Sequence, residues 1–436
     1  MSALNLAESS SANTPSYEKH RIHAGDTVLL RLPSGDVRSY KIEKDVPVTL
    51  GRLGSFPANE LIDQPYGLTH EIAGKELRVI PPRSMEDIED TEATNELIND
   101  GQFVQPLTSQ EIEALKQSGV HASDIIKKQI EMHANYSLKT EYSKDKYKKR
   151  KEAKYSKSFT TIEPTLFNVC EYWFKKDQSR IRDLRIDTLS QMLNLANVRP
   201  GGRYIAVDDA SGLLVSAILE RMGGNGRLIT ICDVDSPPAY PVMTQMNLPK
   251  ELVTPVLTSL NWATADEEYT PTEAKEEPEK SEKHKVRLNK RKAVSDLLAN
   301  TREELFAGDL LIASEYDPHT ILEKLYLYLG GSASVTVYSP HLQVLSELQS
   351  KMRLQGQYLA PSVTETWLRR YQVLPGRTHP MMTTSGSGGY LLHATRMYAA
   401  IEPLTFHRAY LTSDDALLTV TITRMRSRWR SIVDQK

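Results

Sequence analysis

A turn between two predicted strands carries the residue types that come nearest to a nucleotide site in this sequence. Residues 203–208 read as a buried strand, 212–222 as an apolar helix and 227–233 as a second strand, which together predict a βαβ unit of a parallel sheet. In such sheets a ligand lies at the carboxyl ends of the strands, where glycines let backbone N–H groups approach it. The turn reads VDDASGL over residues 207–213 and has one glycine where a binding loop has three.

This turn predicts a scaffold for a nucleotide that has lost the contacts to hold one. Ala210 and Ser211 place Cβ atoms where a cofactor needs bare backbone. Asp233, which ends the second strand, is of the type that hydrogen-bonds a ribose diol, and a solvated strand-terminal aspartate is the alternative. The degenerate loop, for which we predict no bound cofactor, consists of Asp208, Asp209, Ala210, Ser211 and Gly212.

A basic predicted helix is the second feature with chemistry. Residues 139–157 contain nine Lys or Arg against three acids, interleaved with three tyrosines. Clustered cations neutralise phosphates and release counterions, and tyrosines stack on bases. A nuclear localisation signal at residues 148–151 and a solvated helix face are the alternatives. The RNA-binding residues predicted here are Lys146, Lys148, Lys149, Arg150, Lys151 and Lys154.

The sequence gives little support for a metal site, a disulfide framework or a catalytic residue. The eleven histidines show no HxxxH or HExxH spacing and there are two cysteines, so we predict no metal site, no disulfide framework and no catalytic residue. The C-terminal arginines of residues 424–430 suit a solvated tail or an RNA contact. A net charge of -2 over 436 residues excludes a globally basic nucleic-acid binder. No run of 18 apolar residues occurs, so no membrane span is predicted.

The elements that position these residues change character along the chain. Short alternating stretches separated by turn signals predict a small antiparallel barrel or sandwich near the N-terminus. Later strands and helices predict a parallel sheet closed by an antiparallel hairpin of residues 363–374 and 389–396. The predicted organisation is a disordered segment at 1–20, a β-rich domain at 21–105, a helical basic connector at 106–160, an α/β domain at 161–400 with an insertion at 264–295, and a tail at 401–436.

Several stretches match one known family in order along the chain. They are GDTVLLRLP at 25–33, LGRLGSF at 50–56, QPYG at 64–67, TEYSKDKY at 140–147, GRY through SG at 202–212, QVLPGRTHP at 372–380 and SGSGGYLL at 385–392. The last two are the most specific. On these residues the chain resembles the non-catalytic subunit of the eukaryotic tRNA (adenine-58-N1)-methyltransferase over about residues 20–397.

The resemblance implies an architecture and an assembly. The fold class is α+β followed by α/β: a β-rich, barrel-like N-terminal domain, a helical connector and a Rossmann-like, methyltransferase-type domain with a degenerate cofactor loop. A paralogous catalytic subunit would bind S-adenosylmethionine, and the two subunits would form a heterotetramer of two copies each in the nucleus. Their substrate would be the T-loop adenine of tRNA.

Within that assembly this chain is expected to bind tRNA without catalysing the reaction. Arg377, in the most specific match, offers a planar fork that suits phosphates and base edges, and stabilisation of its own turn is the alternative. Two other hypotheses stay open at this point. One is an active S-adenosylmethionine-dependent RNA methyltransferase in its own right, and the other is an RNA-binding scaffold unrelated to methylation.

The basic helix generates the first testable prediction. Replacing Lys146, Lys148, Lys149, Arg150 and Lys151 with alanine should weaken tRNA binding by the complex, measured as affinity against salt concentration. Each lost phosphate contact should remove roughly 0.7–0.9 from the slope of log affinity against log salt. The fold should survive, because exposed lysines contribute little to stability. An affinity change below about twofold with an unaltered slope would instead indicate a localisation signal or a solvated face.

Overall fold

The structure is a computed structural model, and it describes residues 21–80, 109–117, 122–132, 144, 156–233, 240–262, 308–374 and 377–397. The predicted N-terminal segment, the insertion and the C-terminal tail lie outside these residues, as does nearly all of the predicted basic helix. None of the described helices combines the length and the apolar character that a bilayer span requires.

The N-terminal part is a five-stranded antiparallel sheet with the order β2-β1-β7-β5-β6. Its strands are β1 (Thr27–Arg31), β2 (Val37–Lys41), β5 (Thr69–Ala73), β6 (Glu76–Ile80) and β7 (Ser158–Ile162), while β3 (Pro47–Thr49) and β4 (Ser55–Pro57) form a separate ribbon. Strands β1 and β2 pair antiparallel, as the short alternating stretches near the N-terminus indicated. Among the described strands no pairing joins the edges β2 and β6, so the barrel-like closure is not confirmed.

Strand β1 lies between two cores, which explains its continuous run of apolar residues. Val28 and Leu30 are fully buried in the core of the N-terminal sheet, whereas Leu29 is buried in a cluster of the α/β part. Alternate side chains of a strand point to opposite faces, so both faces of β1 are covered. This strand therefore fixes one face of the N-terminal sheet against the rest of the protein.

Strand β7 returns the chain to the N-terminal sheet after the connector. It pairs with β1 on one side and with β5 on the other. Phe159 is buried, and its ring stacks on Phe56 with 5.0 Å between ring centroids. Burial of this aromatic side chain holds the strand in the N-terminal core. Strand β7 therefore belongs to the N-terminal sheet, although its last two residues fall within the range 161–400 that was predicted for the α/β domain.

Two helices are described in the segment that was predicted to be a helical connector. They are α1 (Ser109–Gln117) and α2 (Ala122–Glu131). Ile112 of α1 is buried against Ile125 and Ile126 of α2. The apolar side chains recur on one side of each helix, as expected for two short amphipathic helices that cover each other.

The α/β part is a seven-stranded sheet with the order β10-β9-β8-β11-β12-β16-β13. Its strands are β8 (Arg203–Asp208), β9 (Arg227–Cys232), β10 (Leu257–Asn261), β11 (Asp309–Ala313), β12 (Ser334–Ser339), β13 (Tyr358–Glu365) and β16 (Tyr390–Arg396). The first five strands of this order are parallel, and β16 is antiparallel to β12 and β13. The predicted parallel sheet with an antiparallel closing pair is confirmed, and its order matches a doubly wound fold. The predicted bounds of the first closing strand, 363–374, were wrong, because β13 ends at Glu365 and residues 371–374 pair with residues 377–380 outside the main sheet.

Helices cover both faces of this sheet. One layer consists of α3 (Leu166–Lys176), α4 (Ile186–Leu195) and α5 (Leu213–Met222). Two short helices, α6 (Pro241–Gln245) and α7 (Lys250–Val253), follow β9. The layer on the opposite face consists of α8 (Pro318–Leu325) and α9 (Leu342–Gln355). Each layer has its own buried cluster, because the alternate side chains of the strands face opposite layers. A ribbon of β14 (Tyr371–Leu374) and β15 (Arg377–Pro380) stands outside the main sheet.

The segment that carries α6 joins the α/β part to the N-terminal sheet. Asn247 has a left-handed backbone with φ 51°. Its side chain accepts a hydrogen bond from the Thr27 N–H at 2.7 Å and donates one to the Thr27 carbonyl at 2.8 Å. Gln245 donates to the hydroxyl of Ser39 at 3.3 Å. These bonds hold β1 and β2 directly against the α/β part.

The buried side chain of Arg185 explains why the segment that precedes β16 is rich in glycine. Arg185 is 4% exposed, donates to Asp187 at 2.6 Å and donates to the hydroxyl of Ser385 at 3.0 Å. The hydroxyl of Thr188 donates to the carbonyl of Gly388 at 2.8 Å. A Cβ atom at Gly388 would lie 2.7 Å from Thr188 Oγ1 and 2.9 Å from Arg185 Cζ, so this position excludes a larger residue.

Replacement of Gly388 tests this packing. Gly388→Ala should destabilise the fold by about 1–3 kcal/mol, because the added methyl displaces the buried arginine or the threonine. Gly386→Ala is the matched control: its Cβ would meet no atom within 4 Å, and its effect should stay within about 0.5 kcal/mol. Urea unfolding followed by circular dichroism measures both. Equal midpoints for the two variants would contradict this account.

Candidate functional site

In the degenerate loop after β8, the side chain of Asp208 accepts hydrogen bonds from nearby backbone N–H groups. The carboxylate of Asp208 accepts a hydrogen bond from the Ala210 N–H at 2.7 Å and from the Val215 N–H at 2.9 Å. Val215 lies in the first turn of α5, where free N–H groups and the helix dipole favour an anion. The chain therefore fills this position with its own carboxylate.

The environment of Asp208 opposes its ionisation in part. Burial raises the pKa of this carboxyl to about 6, and the N–H groups of Val215 and Ala210 act in the opposite direction. Neighbouring Asp209 adds like-charge repulsion that also raises the pKa. At neutral pH the group remains mostly a carboxylate, so it continues to accept from the loop.

Asp209 connects the ends of two neighbouring strands. Its carboxylate accepts from the hydroxyl of Ser314 and from the Glu315 N–H at 3.0 Å. Its own N–H donates to the Ala313 carbonyl at 3.0 Å. Ser314 directly follows β11, which is the strand paired with β8. Asp209 thus closes the carboxyl edge of the sheet between β8 and β11.

The rest of the loop is shaped by neighbouring side chains and backbone. Ala210 is fully buried. Ser211 has φ 58°, and its hydroxyl donates to the Arg180 carbonyl at 2.8 Å. Gly212 has φ 85°, and a Cβ there would lie 2.6 Å from the Cβ and Cδ1 atoms of Tyr240. The single glycine of the loop is therefore required by the close approach of a tyrosine ring and by a left-handed backbone.

Tyr240 is the residue that packs on the loop. It is 5% exposed, immediately precedes α6, and its hydroxyl is hydrogen-bonded to Thr230 and Ser259. Burial raises the pKa of this phenol, so the hydroxyl stays neutral. Sequence reasoning missed this residue, because no turn or motif marks a tyrosine 28 positions after the loop as its neighbour.

Asp233 already has a partner at the end of β9. Its carboxylate accepts a hydrogen bond from the hydroxyl of Tyr316 at 3.0 Å. Tyr316 lies just beyond β11 and is 43% exposed, so this bond spans the carboxyl edge of the sheet at the surface. The carboxylate that was considered for a ribose diol is thus engaged by the chain itself.

Two openings lie along this edge. The first is an open cleft of about 340 Å³ lined by the loop, Tyr240, Ser179 and Glu315. The second has about 290 Å³ and lies beyond the ends of β11 and β12, next to Tyr338 and His341. Among the described residues no group of three or more His, Cys, Asp or Glu is arranged to hold a metal ion.

The predicted RNA-binding residues are not gathered at this edge by the described structure. Residues Lys146, Lys148, Lys149, Arg150, Lys151 and Lys154 lie outside the described residues. Arg377 begins β15, where its backbone pairs with Leu374 of β14. Its two predicted roles, an RNA contact and the stabilisation of its own turn, stay predictions.

The ribbon and the segments that flank it carry exposed apolar side chains that sequence reasoning did not single out. Trp367 is 78% exposed, Val373 66% and Met382 81%. Arg370, at the foot of the ribbon, forms an ion pair with Glu171 of α3. Large apolar side chains that are exposed along one stretch of the chain favour an interaction surface. The sequence signal that could have indicated this surface was the occurrence of Trp and Met on either side of the predicted turn.

Comparison with known proteins identifies relatives over most of the chain. The model of the Gcd10p family matches residues 21–291. The tRNA (adenine(58)-N(1))-methyltransferase non-catalytic subunit TRM6 of Debaryomyces hansenii is 32% identical over 86% of this chain and 87% of its own length. The Mus musculus protein of the same name is 29% identical, covering 88% of this chain and 90% of its own.

Two solved structures are similar at low identity. A SAM-dependent O-methyltransferase from Thermotoga maritima has a TM-score of 0.49 and 14% identity, covering 86% of this chain and 95% of that one. The tRNA (m1A58) methyltransferase TrmI from Aquifex aeolicus has a TM-score of 0.46 and 13% identity, covering 87% and 100%.

Proposed function

This chain belongs to the Gcd10p family, and from that membership we propose what each part of the structure does in a tRNA methyltransferase complex. The chain is a non-catalytic subunit of the tRNA (adenine(58)-N(1))-methyltransferase and works with a catalytic partner. The observation that carries the proposal is the loop after β8, in which the carboxylates of Asp208 and Asp209 accept hydrogen bonds from the chain's own N–H groups.

S-adenosylmethionine binds to the catalytic partner and not to this chain. Asp208 accepts from the N–H groups of Ala210 and Val215, Tyr240 packs against Gly212, and the Tyr316 hydroxyl donates to Asp233. A cofactor would have to displace all three arrangements and then meet the Cβ of Ala210, so the residues of this edge do not fit the group. The alternative of an independently active methyltransferase needs this same loop to bind the cofactor, and is not favoured.

Calorimetry on the co-purified complex tests the cofactor proposal. We expect one S-adenosylmethionine per pair of unlike subunits, since only the partner has a free site. The isolated chain should give no binding heat and no methyl transfer to tRNA. The catalytic subunit serves as the positive control for the ligand. Two sites per pair, or methyl transfer by the chain alone, would overturn the proposal.

The tRNA contacts of this chain come from the basic helix and from Arg377. Residues 146–154 carry a high density of positive charge, which binds phosphates, and they include a tyrosine at position 147. Residues 148–151 also form the basic cluster that directs proteins to the nucleus, which is the compartment we propose. The salt titration of the five-alanine variant described above separates the RNA contact from the localisation signal.

The complex is a heterotetramer of two copies of each subunit, and the ribbon of β14 and β15 is the surface that meets the partner. The neighbouring edge strand β13 is less suited to pairing, because Pro361 lacks an N–H donor and a register shift separates Leu359 from Ser362. The exposed Trp367, Met382 and Val373 instead offer an apolar centre of the kind found in obligate interfaces.

Polar substitution of the ribbon tests this interface. Trp367→Asp with Met382→Asp should abolish co-purification with the catalytic subunit, because an interface of roughly 2,000 Å² does not tolerate two charges at its centre. Leu327→Asp with Leu354→Asp is the control, since these side chains are 68% and 88% exposed but lie by the other helix layer. Size-exclusion chromatography with light scattering gives the assembly mass. Retention of the full complex by the ribbon variant would exclude this surface.

A further inference from the structure

The C-terminal end of α3 carries three exposed cations within six residues. Lys175 and Lys176 close the helix, and Arg180 lies in the 3-10 turn that follows it. Asp177 is the one carboxylate of this stretch, and it accepts a hydrogen bond from Ser179 at 2.7 Å. The stretch, named here the α3 patch, therefore has an excess of positive charge next to solvent.

Two buried aromatic rings hold two of these cations in place. Lys176 Nζ lies 5.1 Å from the ring centroid of Trp173 and donates to the Tyr172 hydroxyl at 2.7 Å. Arg180 Cζ lies 5.1 Å from the same indole. Trp173 is itself fixed, because its Nε1–H donates to Gln245 at 2.6 Å. Cations that are already ordered lose little conformational freedom when they bind an anion.

The patch differs from neighbouring basic residues in its lack of carboxylate partners. Arg185 pairs with Asp187, and Arg370 pairs with Glu171 one turn before the patch on α3. The ion pairs found among the described residues include none of Lys175, Lys176 and Arg180. Within that part of the chain, no carboxylate neutralises the charge that these three cations present to a ligand.

The patch adjoins the carboxyl edge of the parallel sheet. The Arg180 carbonyl accepts from the hydroxyl of Ser211 in the degenerate loop at 2.8 Å, and Ser179 lines the open cleft. Ligands of doubly wound folds approach along this edge. A chain that has closed its cofactor loop still presents cations beside that edge, where a large anionic substrate would pass.

We infer that the α3 patch binds phosphates of the tRNA backbone, an inference that rests on the proposed role of the chain in a tRNA methyltransferase. Lys176 acts as a point charge and Arg180 as a planar fork, the two groups that recognise phosphate oxygens. Contacts of this type position the RNA without reading its sequence. The patch would hold the tRNA against the α/β part, independently of the basic helix.

The test compares two double variants of the complex formed with the catalytic subunit. Lys176→Ala with Arg180→Ala removes the ordered cations. Lys324→Ala with Arg353→Ala removes the same charges from exposed positions on α8 and α9, in the other helix layer. Fluorescence anisotropy with an unmodified tRNA transcript gives the affinity at several salt concentrations, and thermal melting reports on the fold.

The patch variant should bind tRNA about five- to tenfold more weakly at 0.15 M salt, with a slope of log affinity against log salt that is smaller by roughly 1.4–1.8. The control variant should stay within about twofold of the wild type. Lys176→Arg with Arg180→Lys should retain most of the wild-type slope, because charge rather than packing carries the effect.

Other outcomes separate this inference from the proposed function. A patch variant that matches the control in affinity and slope overturns the inference while the complex remains a tRNA binder. A patch variant that loses the catalytic subunit assigns the surface to an acidic protein face and also overturns it. Failure of the wild-type complex to bind tRNA would instead overturn the proposed function.

Discussion

The carboxylate of Asp208 accepts hydrogen bonds from the N–H groups of Ala210 and Val215, and so places a fixed negative charge at the start of α5. A helix N-terminus at the end of a central parallel strand attracts an anionic or polar ligand by its free N–H groups and its dipole. Here the chain satisfies that attraction internally. The loop takes up left-handed conformations at Ser211 and Gly212 to do so, and the ring of Tyr240 fills the space above it.

The segment that packs on the loop at the carboxyl edge of the parallel sheet also joins the two sheets. The segment that begins with Tyr240 continues through α6 to Gln245 and Asn247, which bond to β2 and β1 of the N-terminal sheet. Trp173 of α3 is fixed by the same Gln245. The residues that close the loop are therefore continuous with those that join the two sheets, so the N-terminal sheet is oriented by the region that in a doubly wound enzyme faces its ligand.

The outer parts of the α/β fold are adapted to different contacts. Strand β13 ends the sheet with a register shift and a proline, features that discourage uncontrolled pairing of an open edge. The segments that flank the ribbon of β14 and β15 expose Trp367 and Met382, which suits a protein partner. The end of α3 exposes cations instead, and suits a polyanion. A subunit without its own chemistry can thus assign separate surfaces to assembly and to RNA.

The sequence by itself determined the parallel sheet, the presence of an antiparallel closing pair, the short antiparallel strands near the N-terminus and the loss of glycines in the loop. These follow from local patterns, since periodicity of apolar residues and turn chemistry act over a few neighbouring positions. It did not determine that β7 belongs to the N-terminal sheet. That assignment depends on the burial of Phe159 against Phe56, a pairing of residues 103 positions apart that no local pattern records.

The occupants of the candidate site also required the tertiary structure. Ala210 and Ser211 indicated from the sequence that a cofactor loop was degenerate. Tyr240 over Gly212 and Tyr316 on Asp233 became evident only when β8, β9 and β11 brought distant segments to one edge of the sheet. A sequence pattern shows which groups a loop lacks, because that depends on residue type alone. The groups that take the place of a ligand depend on which distant residues lie close together in the folded chain.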